Sequence, residues 1–290
     1  MEKKWNINDL DPVGLVEDAK VRDSFISAYT KIHRAKTADA EMIFDRESLY
    51  YKRALTGDSK LKNCTRISLY SSFLEAAITG LSLQPGQKSE AYLESRNFNV
   101  GTRDNPQWEG VCHFVLTAYG ELNLRMKAGQ IVRMNNPVVV YEGDHFQPMT
   151  NARGELYVEY KPSIPRKSQN IIGAFVVIHL PGDRLDFKWL LQDDIERLKG
   201  YSAKGFRGNP NALYSSNNGA IDVGFLETKT IKHAMRAYTK LRVGENVAFE
   251  DDLDPDKAGT FLPADAQPQP EPTVQYTETV TGGDDGGEIF

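Results

Sequence analysis

The stretch from Leu61 to Val100, LKNCTRISLYSSFLEAAITGLSLQPGQKSEAYLESRNFNV, changes its period part-way along. In its first half, Leu69, Phe73, Ala76 and Ala77 recur at the spacing of one helix face over Ile67 to Thr79. Gly80 supplies the C-terminal stop, because glycine accepts the left-handed conformation that commonly ends a helix. Beyond Gln84-Pro85-Gly86, Ala91 to Val100 carries a strand pattern. A helical region that gives way to strands within one stretch predicts an α+β chain.

The flanking sequence extends both halves. Upstream, Asp11-Pro12 opens a helix whose Leu15, Val16, Phe25, Ile26, Tyr29 and Ile32 recur at helical spacing, and a second helix, Ala40 to Leu55, stops at Gly57-Asp58. Downstream, the polar turn around Asp104-Asn105-Pro106 leads to a strand at Val111 to Thr117, then to a helix from Tyr119 to Lys127 that ends at Gly129. Strands are expected at Pro137 to Tyr141, Glu155 to Tyr160 and Ile171 to His179, the last turning through Pro181-Gly182 into Arg184 to Leu190. Asp193 to Lys199 reads as a short helix, and residues 200–220, with four glycines, read as a permissive, mobile loop. The fold class expected is therefore α+β: N-terminal helices and a central antiparallel sheet with packed helices.

The last helix, Phe225 to Arg242, separates into two faces. Ile231, Ala234, Met235, Tyr238 and Leu241 fall on one side and Lys229, Lys232, His233, Arg236 and Lys240 on the other. One face seeks a core and the other suits a polyanion, although most basic helix faces are only solvated. Residues 1–246 form the ordered body. Residues 247–290, rich in Pro, Asp, Glu, Gly and Thr without apolar periodicity, read as a disordered acidic tail.

Charge follows the same division. The chain carries a net charge of -5. From Glu250 onward there are eleven acidic residues and one basic residue, a net of -10, which leaves +5 for the body. A basic body admits a nucleic-acid partner. Two cysteines, Cys64 and Cys112, are too few for a disulfide framework and read as reduced thiols. No apolar run approaches the roughly 20 residues of a membrane span, and the N-terminus lacks a secretory h-region. A cytoplasmic protein is expected.

No phosphate-binding P-loop and no dinucleotide glycine motif is present, and the five histidines show no metal-ligand spacing. No cofactor is implied. Asp183 with Asp186-Phe187-Lys188 resembles the carboxylate and Asp-x-Lys set of restriction-like nucleases, in which carboxylates hold a divalent metal. A solvated hairpin is the plainer reading of the same residues. The distributed signal is a basic second half interleaved with Tyr160, Trp189, Tyr201, Phe206 and Tyr214. Cations paired with aromatics suit single-stranded nucleic acid, since phosphates take the charges and bases stack at roughly 1–3 kcal/mol each. The candidate DNA contacts are Arg125, Lys127, Arg133, Arg166, Lys167, Lys199, Tyr201, Lys204, Phe206, Arg207, Lys229, Lys232, Arg236 and Lys240.

The order of these elements resembles the RecT family of phage and prophage single-strand annealing proteins, to which Red beta is distantly related. Leu61 to Gly86 is similar to the family's segment with a Cys or Asn, a Ser-led alanine-rich helix and a Gly-Leu-x-x-x-Pro exit, and Ala91-Tyr92-Leu93 to the strand after it. Tyr119-Gly120 and Lys127 to Ile131, Val140 to Phe146, Gly173, Trp189, Ile195-Glu196, Tyr201-Ser202 and Lys229-Thr230 keep the family's later order. Tyr119 stands where the family often has Lys or Arg, and Lys232-His233 where an arginine is usual. The resemblance implies an ATP-independent annealing protein, not an enzyme, that oligomerises on single-stranded DNA as a ring or helical filament and pairs it with a complementary strand. It further implies the fold of eukaryotic annealases, a phage 5'-3' exonuclease as partner, and a bacterial cytoplasm as location. A single-strand binding module without annealing activity and a metal-dependent nuclease are the alternatives.

The chain ends on Asp284-Asp285-Gly-Gly-Glu288-Ile289-Phe290. This is similar to the acidic tip of bacterial single-strand binding proteins, which suggests contact with host single-strand binding protein or its readers. An ordinary solubilising tail would have the same composition.

Overall fold

The computed structural model describes residues 5–205, 210–239, 241, 243–244 and 247–249, without the side chains of Lys204 and Phe249. The acidic residues from Glu250 onward lie outside that description. The first helix expected is split. Gly14–Glu17 is a 3-10 turn, and α1 (Ala19–His33) starts only after Asp18, whose carboxylate accepts from the Lys20 and Val21 amides. That cap satisfies orphan amides and fixes the start of α1. Leu15, Val16, Phe25 and Ile26 are buried as their spacing requires, whereas Ile32 is exposed.

Helices α2 (Thr37–Gly57), α3 (Ser59–Lys62) and α4 (Arg66–Thr79) follow. Thr65 caps α4, and Gly80, at φ +64°, ends it in the left-handed region. The predicted face Leu69, Phe73, Ala76 and Ala77 is buried against α1, α2 and a hairpin of two antiparallel strands, β1 (Ala91–Asn99) and β2 (Trp108–Leu116). Stacked and edge-on rings of Phe25, Phe44, Tyr51 and Phe73 fill the centre of this layer.

Helix α5 (Ala118–Lys127) leaves β2 directly. The remaining strands are β3 (Arg133–Met134), β4 (Val138–Tyr141), β5 (His145–Thr150), β6 (Leu156–Lys161), β7 (Ile171–Leu180) and β8 (Arg184–Leu191). β7 is the central one: β4 and β3 pair in succession along one edge and β8 along the other, all antiparallel. Its near-continuous apolar run is what a strand covered on both faces requires. Ala174, Val176 and Ile178 face the helices, while Phe175 meets the rings of Phe146 and Tyr160 on the β5–β6 hairpin. β5 escaped the sequence pattern because Pro148 interrupts it, yet it pairs with β6 along its whole length.

The expected α+β class, with N-terminal helices and antiparallel strands, is the observed one, but among the described residues the strands are divided among three sheets. Two further expectations are corrected. α6 (Gln192–Gly205) runs six residues past Lys199, because Ile195 and Leu198 dock it on the core and Ser202 Oγ accepts from the Asn211 amide at 2.9 Å. β9 (Val247–Phe249), which composition assigns to the tail, pairs in parallel with Phe114 to Leu116 of β2, and Val247 packs on the N-terminal core.

The last helix, α7 (Val223–Met235), ends seven residues before Arg242. Beyond it, the Thr239 carbonyl accepts from Arg125 instead of from a helical amide. Ile231, Ala234 and Met235 are buried against β7 and α5 as expected.

One close approach limits the sequence sharply. A Cβ on Gly120 would lie 1.9 Å from the Glu90 carbonyl oxygen, whose other partners are the Thr117 amide and hydroxyl. Backbone atoms on both sides have little room to give. Gly120→Ala is expected to lower unfolding stability by about 1–3 kcal/mol, measured by urea denaturation. An unchanged midpoint would show that the α5–β1 junction is loose.

Candidate nucleic-acid interface

The residues proposed as DNA contacts fall into three environments. Arg125 and Lys232 are buried, at 4% exposure each. Arg125 donates through Nε and Nη2 to Glu121 Oε1 and through Nη1 to Gln130 Oε1 at 2.7 Å and the Thr239 carbonyl at 2.9 Å. Its guanidinium also lies 5.7 Å from the Tyr238 ring centroid. All of its directional donors thus face the protein, which withdraws Arg125 from the list of DNA contacts. Lys232 is withdrawn on the same ground of burial: α7 is covered on a wider arc than its apolar residues alone indicate, with Thr230 also fully buried.

Lys127 is exposed, but its ammonium is anchored. Its Nζ donates to the Gly80 carbonyl at 2.8 Å, between two clefts of about 530 and 490 Å³. Burial pushes its ammonium below the usual range, with Glu90 opposing that shift. Of the remaining described candidates, Arg133, Arg166, Lys167, Tyr201 and Arg236 are exposed, and Lys199 and Lys229 are half-buried. Arg133, exposed on β3, donates to Asn135.

Two of these cations, Arg166 and Lys229, rest on aromatics of one hydrophobic cluster. Tyr141, Ile171, Ala174, Leu190, Ile195, Tyr214, Ile221 and Leu226 form its core, with Phe225 packed against it. The Arg166 guanidinium lies 3.6 Å from the Tyr141 ring centroid. Next to it, Lys167 packs its stem against Gly143. The loop carrying both is held by Asp144, which accepts from the Ser163 and Tyr141 amides and the Tyr160 hydroxyl. Burial pushes the Asp144 carboxyl up, but these bonds and Arg166 outweigh it and hold the group below its usual range. On α7, Lys229 lies 5.1 Å from the Phe225 ring, which packs edge-on against Tyr214. On α6, Ile195 enters the same cluster, while Lys199 sits 3.9 Å from Glu196 and Tyr201 is 59% exposed. Phe206, Arg207 and Lys240, and the side chain of Lys204, lie outside the described residues.

A second group meets at the α6–α7–β8 edge. Half-buried His233 is held below its usual range, first by burial and then by Arg236, Arg197 and Lys188, against an opposing pull from Asp194. Lys188 and Arg197 were not singled out as contacts, because their approach to α7 depends on the β7–β8 register and the docking of α6. Lys188 Nζ donates to Asp186 Oδ1 at 2.8 Å, and Tyr238 donates its hydroxyl to Asp186 Oδ2 at 3.0 Å. The residues of the nuclease alternative are therefore spent on holding the segment after α7, with Asp183 at the hairpin tip in a left-handed conformation. Among the described residues, no three His, Cys, Asp or Glu side chains gather into a metal-holding group.

Cations stacked on aromatics of a core cluster have the chemistry of backbone binding. The RecT family model matches residues 50–260. The chain belongs to the RecT family. Its members are single-strand annealing proteins of DNA recombination, and they bind single-stranded DNA and oligomerise. A search of curated proteins returned no match. The family match spans the hairpin, both sheets built on β2 and β7, and α5 to α7, so the surface described above lies within it. No helix among the described residues is long and apolar enough to cross a membrane.

The environments separate by mutation. Arg125→Ala leaves the Glu121 carboxylate buried without its partner and is expected to cost about 3–5 kcal/mol of stability. Lys232→Ala is expected to lower stability without changing the salt dependence of DNA binding. Arg166→Ala, Lys229→Ala and Arg236→Ala are expected to leave stability within about 0.5 kcal/mol and each to flatten the log–log salt slope by about 0.7 on single strands. Salt titrations of binding to oligothymidylate, beside urea denaturation, check this. Equal slopes in all variants would show that these three cations take no part in binding.

Proposed function

We propose that this RecT-family chain is an ATP-independent annealing protein that oligomerises on single-stranded DNA, as a ring or helical filament, and pairs it with a complementary strand. The observation that carries this reading is the pair of cations seated on aromatics of one core cluster, Arg166 on Tyr141 and Lys229 on Phe225, which itself packs edge-on against Tyr214. Phosphates of one strand take the charges, and the exposed ring of Tyr201 suits an unpaired base.

Annealing needs no bond-making residue. It needs two repelling backbones neutralised and a matched duplex held more tightly than a mismatched one. A body charge of +5 is small for two strands, and repetition of the protomer along DNA multiplies it. Arg133 and Lys167 extend the basic surface, and Lys204, Phe206, Arg207 and Lys240 belong to it by sequence. The protein works in a bacterial cytoplasm beside a phage 5'-3' exonuclease that supplies the single strand. Its acidic end, Asp284, Asp285, Glu288, Ile289 and Phe290, engages host single-strand binding protein or proteins that read such tips.

Complementary oligonucleotides mixed with the full chain in EDTA, without nucleotide, are expected to anneal faster than without protein. Removing residues 284–290 is expected to leave that rate unchanged while abolishing capture of a tip-reading protein. Binding without acceleration would contradict the annealing reading, and capture by the shortened chain would contradict the role of the tip.

A further inference from the structure

The β1–β2 hairpin projects past its last backbone tie to the body, the Thr65 amide donating to the Gly110 carbonyl at 2.9 Å. Beyond that point its tip is braced internally. The Val100 amide donates to the Gln107 carbonyl at 2.7 Å, and Asn99 Oδ1 accepts from the amides of Gly101 and Gln107. The braced tip presents Val100 and Trp108 to solvent, with Trp108 68% exposed. A tryptophan held out on a preorganised turn is the type of residue that anchors protein interfaces. The tip is ill suited to DNA: residues 97–110 carry Arg103 against Asp104 and Glu109, a net of -1.

A second apolar patch lies on a different element. Met42 and Leu49 on α2 are 66% and 67% exposed, and seven residues apart they share one face. Asp45 and Arg53 flank Leu49 on that face. Among the described residues, Asp45, Arg53 and Arg103 make no ion pair. The two patches are therefore complementary in shape class and in charge: an aromatic tip with adjacent Arg103 and Asp104, and an aliphatic ridge bordered by Asp45 and Arg53.

We propose that the hairpin tip of one protomer docks on the Met42–Leu49 ridge of α2 in the next copy, with Trp108 against Leu49 and Arg103 facing Asp45. Two different patches on one chain make a heterologous contact, which propagates in one direction and generates a ring or an open filament instead of a closed pair. This names the surface that the assembly reading above requires, and it rests on that reading.

The test is mass photometry of the full chain on a long oligothymidylate, alongside binding of a single protomer to a short one. Trp108→Ala and Leu49→Glu are each expected to raise the protein concentration for half-maximal assembly about tenfold or more, with short-oligonucleotide binding and melting temperature unchanged. Mixing the two variants is expected to give pairs and nothing longer, because only one tip and one ridge remain intact per pair. Asp45→Arg and Arg103→Asp are each expected to weaken assembly and, combined in one chain, to restore it. Wild-type protein that never assembles would overturn the assembly reading and this contact with it. Assembly by wild type that both single variants reproduce, or charge reversals that fail to rescue, would overturn the contact alone.

Discussion

A guanidinium removed from water must find partners for its donors, and Arg125 finds them on three separate pieces of chain. It takes Glu121 on its own helix, Gln130 just after it, and the Thr239 carbonyl beyond α7, with the Tyr238 ring alongside. Tyr238 in turn donates to Asp186, which holds Lys188. This polar chain crosses from α5 to β8 and stops α7 at Met235. Its geometry is demanding: burial pushes the Tyr238 phenol up, followed by the nearby Asp186 charge and hydrogen bond, so the hydroxyl remains a donor. The direction in which Arg236 and the residues after it leave the helix follows from that tie, as does the approach of Lys188 and Arg197 to His233.

The apolar side of the same arrangement divides the labour of the two core clusters around β7. One, with Ile231, Ala234 and Met235, clamps α7 to α5 and the sheet. The other, with Tyr141, Tyr214 and Leu226, carries aromatics on whose outer surfaces Arg166 and Lys229 lie. Cations seated on rings lose less freedom when they meet a phosphate than cations on free stems. The binding surface is thus an outgrowth of the core, which fixes the α7 helix and the Arg166 loop against the same cluster.

Much of this was legible in the sequence, and the exceptions have physical causes. The α4 face from Leu69 to Ala77, the Gly80 stop and the β7–β8 hairpin follow from local periodicity and turn chemistry, which a single stretch contains. The basic stripe of α7 follows from its spacing, but the burial of Lys232 within it does not, because that depends on what packs beside the helix. The burial of Arg125 is non-local too: Glu121 is a neighbour on its own helix, but the Thr239 carbonyl and the Tyr238 ring are brought to it by the fold. The family itself could be recognised because its signal lies in the order of many short segments, each weak alone. The β9 pairing could not, since three residues in an acidic tract carry no period, and only the free edge of β2 gives them a place.

The central claim is that DNA is held over the Tyr141–Tyr214–Leu226 cluster and not along α5. Hydrogen–deuterium exchange of the full chain with and without saturating oligothymidylate tests it most directly. The account predicts added protection in residues 162–168, 195–203 and 223–236, with the amides of α5 unchanged. Protection concentrated on α5 and the clefts beside Gly80, with those three segments unaffected, would contradict it.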